Sequence, residues 1–297
     1  MIVGMHRSGT SLLASILQHA GLFIGDELLP PSDTNKKGYF ENVDFYNFHI
    51  KAYKTLSLNV DGWDLQTVGK LYKEMDEEAR KIVEKNTREE WGWKEPRTTL
   101  FLKYWENIIP NLKYIFVYRD PWDVADSLFR RATDQKVLAD PIHAFKTWDF
   151  YNREIIKMYT KHKKDSIIVH TDDVISGSHT IIEEINTRFG FHLNSENIEN
   201  IFDKDLFKAS DQNLEYSYQT AIAMPEIITT LNELRTLSGR NFFQTEELSK
   251  EEMVSRITSQ FIMRWHELGT HNQKIRKLEE EIKNMKTSNS GIKGDLS

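Results

Sequence analysis

Gly4-Met5-His6-Arg7-Ser8-Gly9-Thr10-Ser11 sets two glycines five positions apart ahead of an apolar helical run. This is the frame in which a loop between a strand and a helix wraps a phosphate. Thr10 stands where a nucleoside triphosphatase loop carries its lysine. Without that cation the outer phosphates of ATP or GTP lose a main counter-charge, so the loop argues against triphosphate hydrolysis. It retains the means to hold another phosphate. Ile2 to Met5 is a short apolar run suited to a buried strand, and Ser11 to Ala20 is apolar at helical spacing. Strand, loop and helix then aim backbone N–H groups and a helix N-terminus at one anion, with Arg7, Ser8, Gly9, Thr10 and Ser11 around it.

A second stretch, Tyr114 to Leu128 (YIFVYRDPWDVADSL), reads as a strand ending at Arg119 and turning into a helix. Asp120 is placed to cap that helix and Pro121 suits its first turn. Arg119 and Ser127, about two helical turns apart, offer a cation and a hydroxyl to a second phosphate; the plainer role for Arg119 is an ion pair with Asp123. In Trp91-Gly-Trp-Lys-Glu-Pro-Arg, Lys94 closes a further strand and points to the same rim as the loop. Glu41, in Gly38-Tyr-Phe-Glu-Asn, precedes the helical pattern VDFYNFHIKAY, and helix N-terminal stabilisation is its ordinary use.

The ten histidines show no metal-ligand spacing. His6 lies inside the loop, and His170 stands at a strand end where Asp172 and Asp173 would cap the next turn. Two readings stand for Arg130 and Arg131, the rim of an acceptor cleft or a solvated helix end, and two for Trp63, stacking on a sugar or adenine or burial in the core.

These residues need a scaffold that brings strand ends together. Ile2–Met5, Trp91–Lys94, Tyr114–Tyr118 and Ser166–His170 read as buried parallel strands, separated by helical patterns at 71–85, 98–109 and 144–161. The alternation predicts a three-layer α/β fold related to the P-loop nucleotide hydrolases, with a central parallel sheet of about four to five strands flanked by helices and ligands bound beyond the strands' carboxyl ends. After Phe191 the chain reads as helical, with Pro225 opening and Gly239 closing one helix and 246–268 forming another. Ile275, Leu278, Ile282 and Met285 repeat at threes and fours, as a coiled-coil seam or a single solvated terminal helix would. The expected division is a domain over 1–268 and a helical extension over 269–297 that ends in disorder from Thr287.

Composition narrows the function. Net charge is −6, from 39 Lys and Arg against 45 Asp and Glu, which disfavours a general nucleic-acid binder. Seven Trp, 11 Tyr and 16 Phe fit a packed enzyme, and the absence of cysteine removes thiol chemistry and disulfides. No signal peptide or membrane-spanning segment is visible.

With these motifs in this order, residues 2–240 resemble a bacterial, carbohydrate-type sulfotransferase that uses 3′-phosphoadenosine 5′-phosphosulfate (PAPS). HRSGTS resembles the family's 5′-phosphosulfate loop, RDPWDVADSL its 3′-phosphate motif through Arg119 and Ser127, and WKEPR its Lys-Asp-Pro-Arg block with Glu95 for aspartate. GYFEN matches the segment that holds a candidate carboxylate base. The resemblance implies PAPS as donor, 3′-phosphoadenosine 5′-phosphate (PAP) as product and no metal, with Arg7 and Lys94 meeting leaving-group charge. Glu41 is then the first candidate base and Glu95 the second. With no anchor visible and an acidic balance, the expected acceptor is a glycan, glycolipid or small hydroxylated metabolite in the cytoplasm, and the terminal helix would either pair two copies into a homodimer or dock a partner. The rivals are a P-loop small-metabolite kinase and a non-catalytic assembly platform.

Overall fold

The computed structural model describes residues 1–31, 38–196, 211–244, 274–278 and 281. Two compact units emerge, Met1–Gln244 and Thr245–Ser297. The second contributes one helical stretch, on which Ile275 and Leu278 are exposed. Ile282, Met285, Thr287–Ser297, the helix expected over 246–268 and the boundary at 268/269 lie outside the described residues, as do Lys36 and Lys37.

The first unit is built on a parallel sheet, β1 (Ile2–Val3), β2 (Tyr114–Tyr118) and β3 (Ser166–His170), in the order β1-β2-β3. Val3 pairs with Phe116, and β2 and β3 run in step from Tyr114 opposite Ser166 to Tyr118 opposite His170. Side chains alternate across a strand, so one sheet needs an apolar layer on each face. Tyr114, Phe116 and Tyr118 enter one core with α2 (Val43–Thr55), α4 (Leu102–Ile108), α5 (Pro121–Arg131), α7 (Ile142–Lys161) and α10 (Pro225–Leu237). Ile115 and Val117 enter the other, with α1 (Thr10–His19) and α8 (Thr171–Phe189). The expected three layers are therefore present.

The sheet has three strands among the described residues rather than four or five. Trp91–Lys94 makes only single parallel bridges, Trp91 to Phe23 and Lys94 to Ile2, beside β1. Two causes are local. β1 ends at Val3 because the chain turns into the phosphate loop, and Pro96 has no N–H with which to prolong pairing. Pro96 also opens a tight 3-10 turn, Pro96–Phe101, so the α-helix expected from Thr98 begins only at Leu102. α3 (Lys73–Asn86) and α10 fall where the patterns place them, the latter with Pro225 in its first turn and Gly239 left-handed beyond its end. The described elements also include the helices α6 (Gln135–Ala139) and α9 (Asp211–Ile222) and a 3-10 turn at Lys163–Asp165.

Candidate active site

Met5, Lys94, Arg119 and Thr171 follow the carboxyl ends of neighbouring strand segments, and this brings the separated motifs to one rim. Gly4 is where β1 and β2 come closest, for a β-carbon there would lie 2.3 Å from the Val117 carbonyl oxygen. Only glycine lets the loop leave the sheet at that point. The loop then bends through Arg7 at φ 69° and Gly9 at φ 85°. A left-handed arginine is strained, at roughly 1–2 kcal/mol. Gly9 is the N-cap of α1, no side chain caps the helix, and its first turn holds no acid. Its leading N–H groups thus lack the internal partner that most helices supply, and an anion can take them.

Arg7 Nε donates to Ser127 Oγ at 2.8 Å across 120 residues of sequence. The loop and the second phosphate motif therefore form one site. Burial, then the neighbouring Arg131, Arg119 and Arg130, lowers the Arg7 guanidinium to about 10, so it stays charged at neutral pH inside a cluster of like charge. Its hydrogen-bond partner is a neutral hydroxyl. Ser8 Oγ and Arg131 Nε are enclosed with no hydrogen-bond partner among the described residues. Four neighbouring guanidinium groups, of which Arg119 and Arg130 pair with Asp123 and Asp126, together with these enclosed polar atoms fit a polyanion.

Lys94 points to this rim as its strand position predicts, and is 2% exposed. Its three N–H groups are all engaged: Glu41 Oε1 at 2.8 Å, the Tyr39 carbonyl at 3.0 Å and Ser11 Oγ at 3.1 Å. Ser11 Oγ in turn donates to the Tyr39 carbonyl. Left-handed backbone at Gly38 and Phe40 swings the chain so that Glu41 meets Lys94. Glu41 does not serve α2: Asn42 is the N-cap, with Oδ1 accepting from Asp44 N–H and Phe45 N–H, and Asp44 supplies the first-turn charge. Asn42 was the readable cap signal, and it frees the neighbouring glutamate for the site.

Glu95 faces the other way, into the core. Its two oxygens meet His49 Nδ1 at 2.7 Å and an Arg97 amino group at 2.5 Å. Trp105 donates its indole N–H to His49 Nε2 at 2.9 Å, which fixes the tautomer: the proton is on Nδ1, the nitrogen 2.7 Å from Glu95 Oε2. Burial alone would raise the Glu95 carboxyl, but Arg97 and then His49 outweigh it and hold it at about 2. Arg97 also donates Nε to the Val60 carbonyl, which ties the strand end to the loop before Gly62. A fully paired, buried carboxylate is a strut, and proton abstraction by it is disfavoured. Glu95→Gln should lower unfolding stability by roughly 3–5 kcal/mol, the cost of breaking a buried ion pair. Because the folded carboxyl is depressed, its contribution is present above the ordinary 4.5 and fades as pH falls toward 2. Urea unfolding followed from pH 7 to pH 3 should show that acid-dependent loss in the parent and a smaller one in the variant.

Arg119 follows β2, with its carbonyl held by Trp148 Nε1 at 2.9 Å and its own Nε 3.5 Å from Asp123. The pair with Asp123 exists, and the charge of Arg119 is among those that lower the Arg7 guanidinium. Asp120 does not cap α5 with its side chain. Its carboxylate instead approaches His170 Nε2 at 3.3 Å and Arg235 at 3.7 Å. At the next strand end the roles are reversed from expectation: His170 is the cap, its Nδ1 accepting from Asp172 N–H at 3.1 Å. Burial works against the His170 imidazolium, yet Asp120 and Asp172 carry its pKa upward.

Trp63 is a core residue, buried and donating to Asp134 Oδ1 at 3.2 Å. Arg130 is paired with Asp126, whereas Arg131 has no ion pair among the described residues and sits near Arg7 and His6. His6, its Nε2 enclosed and without a hydrogen-bond partner among the described residues, is driven far below the usual imidazole range by burial and then by Arg97, so it is neutral. Among the described residues no group of His, Asp and Glu is arranged to hold a metal, and no helix is long and apolar enough to cross a membrane.

The loop without its lysine thus opens on a parallel sheet, with Arg7 joined to Ser127 of the second motif. Residues 1–191 match the Sulfotransferase family, and the chain belongs to it. It is therefore a sulfuryl-transferring protein in the general sense of that family. Similar solved structures include a sulfotransferase domain from the curacin biosynthetic pathway, 16% identical with a TM-score of 0.46, covering 88% of this chain and 95% of that one. Another is the sulfotransferase domain of the Synechococcus PCC 7002 olefin synthase, 15% identical at TM-score 0.45, covering 87% and 92%. No curated protein matches the chain.

Proposed function

We propose that the chain moves a sulfuryl group from PAPS to a hydroxyl, or an amine, of a glycan, glycolipid or small metabolite, without a metal, in the cytoplasm where that donor would be available. The observation that carries this reading is the Arg7–Ser127 contact, which fuses a loop suited to the 5′-phosphosulfate with a motif suited to the 3′-phosphate. When bound, PAPS would supply an activated sulfuryl group, whose bond to the 5′-phosphate oxygen breaks as the acceptor oxygen bonds to sulfur, with PAP as the leaving group. A transferring sulfuryl group bears less negative charge than a phosphoryl group, so side-chain cations suffice where kinases use metal.

The chain's own residues divide the work. The loop N–H groups, Thr10, Ser11 and Arg7 hold the 5′ side, and Arg119 and Ser127 hold the 3′-phosphate. Lys94 lies between loop and carboxylate, where its charge meets the negative charge that gathers on the leaving oxygen. Glu41, within 2.8 Å of Lys94, takes the acceptor proton at its carboxylate oxygen. The pair is suited to that exchange because the lysine stabilises the carboxylate until it is needed.

Calorimetric titration with PAP in the presence of a chelator, beside ADP and Mg-ATP, tests the donor. PAP should bind without metal and more tightly than ADP. Preference for Mg-ATP would overturn the proposal in favour of a small-metabolite kinase.

A further inference from the structure

Thr171, the first residue of α8, is 163 positions from the phosphate loop and belongs to none of its motifs, yet it is the side chain that grips it. Its hydroxyl donates to the Ser8 carbonyl at 2.6 Å and lies 3.1 Å from the Tyr118 carbonyl, the last of β2. Thr171 is buried. Its methyl carbon lies 2.7 Å from the point a β-carbon on Gly9 would occupy. We propose that Thr171 is a positioning residue that locks the Ser8–Gly9 peptide in its anion-binding orientation.

The argument is one of peptide geometry. A trans peptide is rigid, with its C=O and N–H on opposite sides. Fixing the Ser8 carbonyl toward Thr171 therefore turns the Gly9 N–H away from it, to the open side of the loop. Glycine tolerates both signs of φ, so a peptide that precedes one rotates easily. A half-turn would aim a carbonyl oxygen at the phosphate in place of a donor. Thr171 opposes that rotation in two ways: the hydroxyl anchors the carbonyl, and the methyl packs against the bare face of Gly9. One hydroxyl proton serves two acceptors, and the shorter contact goes to the loop. The longer one joins the loop to the β2 end from which Arg119 projects, so a single residue couples the two phosphate-binding segments.

The functional meaning rests on the donor reading above, whereas the geometric claim does not, and the test separates them. Thr171→Val keeps the shape and loses the hydroxyl; Thr171→Ser keeps the hydroxyl and loses the methyl. Two quantities are measured in the parent and both variants: PAP affinity by calorimetry, and amide hydrogen exchange over residues 5–12 without ligand. Thr171→Val should weaken PAP about tenfold or more and speed exchange across the loop, because a charge-assisted donor is no longer held in place. Thr171→Ser should restore PAP affinity to within roughly threefold of the parent, since the hydroxyl is what anchors the carbonyl. Parent values for Thr171→Val in both measurements would overturn the proposal, as would a Thr171→Ser protein as impaired as a folded Thr171→Val. Should Thr171→Val fail to fold, Thr171→Ser decides alone: parent-like exchange and affinity uphold the hydroxyl's role, and their loss overturns it. If the parent itself takes up no PAP, the donor reading fails, and loop exchange by itself upholds or overturns the role of Thr171.

Discussion

Lys94→Met should lower turnover by about 100- to 1000-fold, the range seen when a preorganised charge stabiliser is removed. PAPS should still bind the variant to within roughly fivefold, whereas PAP, which carries the leaving oxygen with its full charge, should lose more affinity than PAPS does. The expectation follows from how the ammonium is held. All three N–H groups are directed, at 2.8–3.1 Å, onto Glu41, Ser11 and the Tyr39 carbonyl, so the cation is fixed before any donor arrives. Methionine fills the space and takes from the Glu41 carboxylate its 2.8 Å ion-pair partner, so the variant loses the counter-charge and the contact that holds the base in place. Glu41→Gln should therefore also lose most turnover while PAP affinity holds, and the double variant should be little worse than the weaker single, as for groups that act together. Stopped-flow or quenched-flow assays with PAPS, run beside PAP calorimetry, read both quantities. Near-parent turnover in Lys94→Met would remove the lysine from the chemistry. Near-parent turnover in Glu41→Gln would remove the base.

The degree to which this site could be read from sequence follows the range of the forces involved. Segments governed by local rules were legible: the glycine frame of the loop, the Pro121 and Pro225 helix starts, the apolar runs that became β2 and β3, and the placement of Lys94 and Arg119 at strand ends. What was not legible depends on contacts between distant segments. Arg7 and Ser127 belong to different motifs, and only the packing of α5 against the loop brings them to 2.8 Å. Glu95 and Glu41 look equivalent as carboxylates near a lysine. One is turned inward by His49 and Arg97, and the other is turned outward by left-handed residues at 38 and 40. Asp120 reads as a helix cap, but a histidine and an arginine brought in by β3 and α10 compete for its carboxylate more strongly than the α5 N–H groups. Thr171 had no signal beyond being the residue after a strand. The fourth strand was over-read because an apolar run records burial, whereas pairing also needs a partner of matching length, and β1 is two residues long.

Arg119→Ala should weaken PAP by about 10- to 100-fold, the loss of one or two charge-assisted hydrogen bonds to a phosphate dianion. Adenosine 5′-phosphosulfate, which has no 3′-phosphate, should be affected less than about threefold, since only uniform electrostatics change for it. The structure gives reasons to expect this selectivity. Arg119 is carried on the rigid end of β2 with its carbonyl fixed by Trp148, so its loss leaves the backbone in place. Its pair with Asp123 is long, at 3.5 Å, and burial raises the Asp123 carboxyl against the pull of Arg119. An aspartate whose charge is already disfavoured by burial gives up its share of the guanidinium at small cost when a dianion competes. Raising salt should erode PAP binding less steeply in the variant than in the parent, because one phosphate contact fewer is screened. Calorimetry with both nucleotides at two ionic strengths reads all of this in one series. An equal loss for both nucleotides would place Arg119 on the 5′ side or in the fold. No loss for either would leave the ion pair with Asp123 as its whole role and move the 3′-phosphate site elsewhere on the rim.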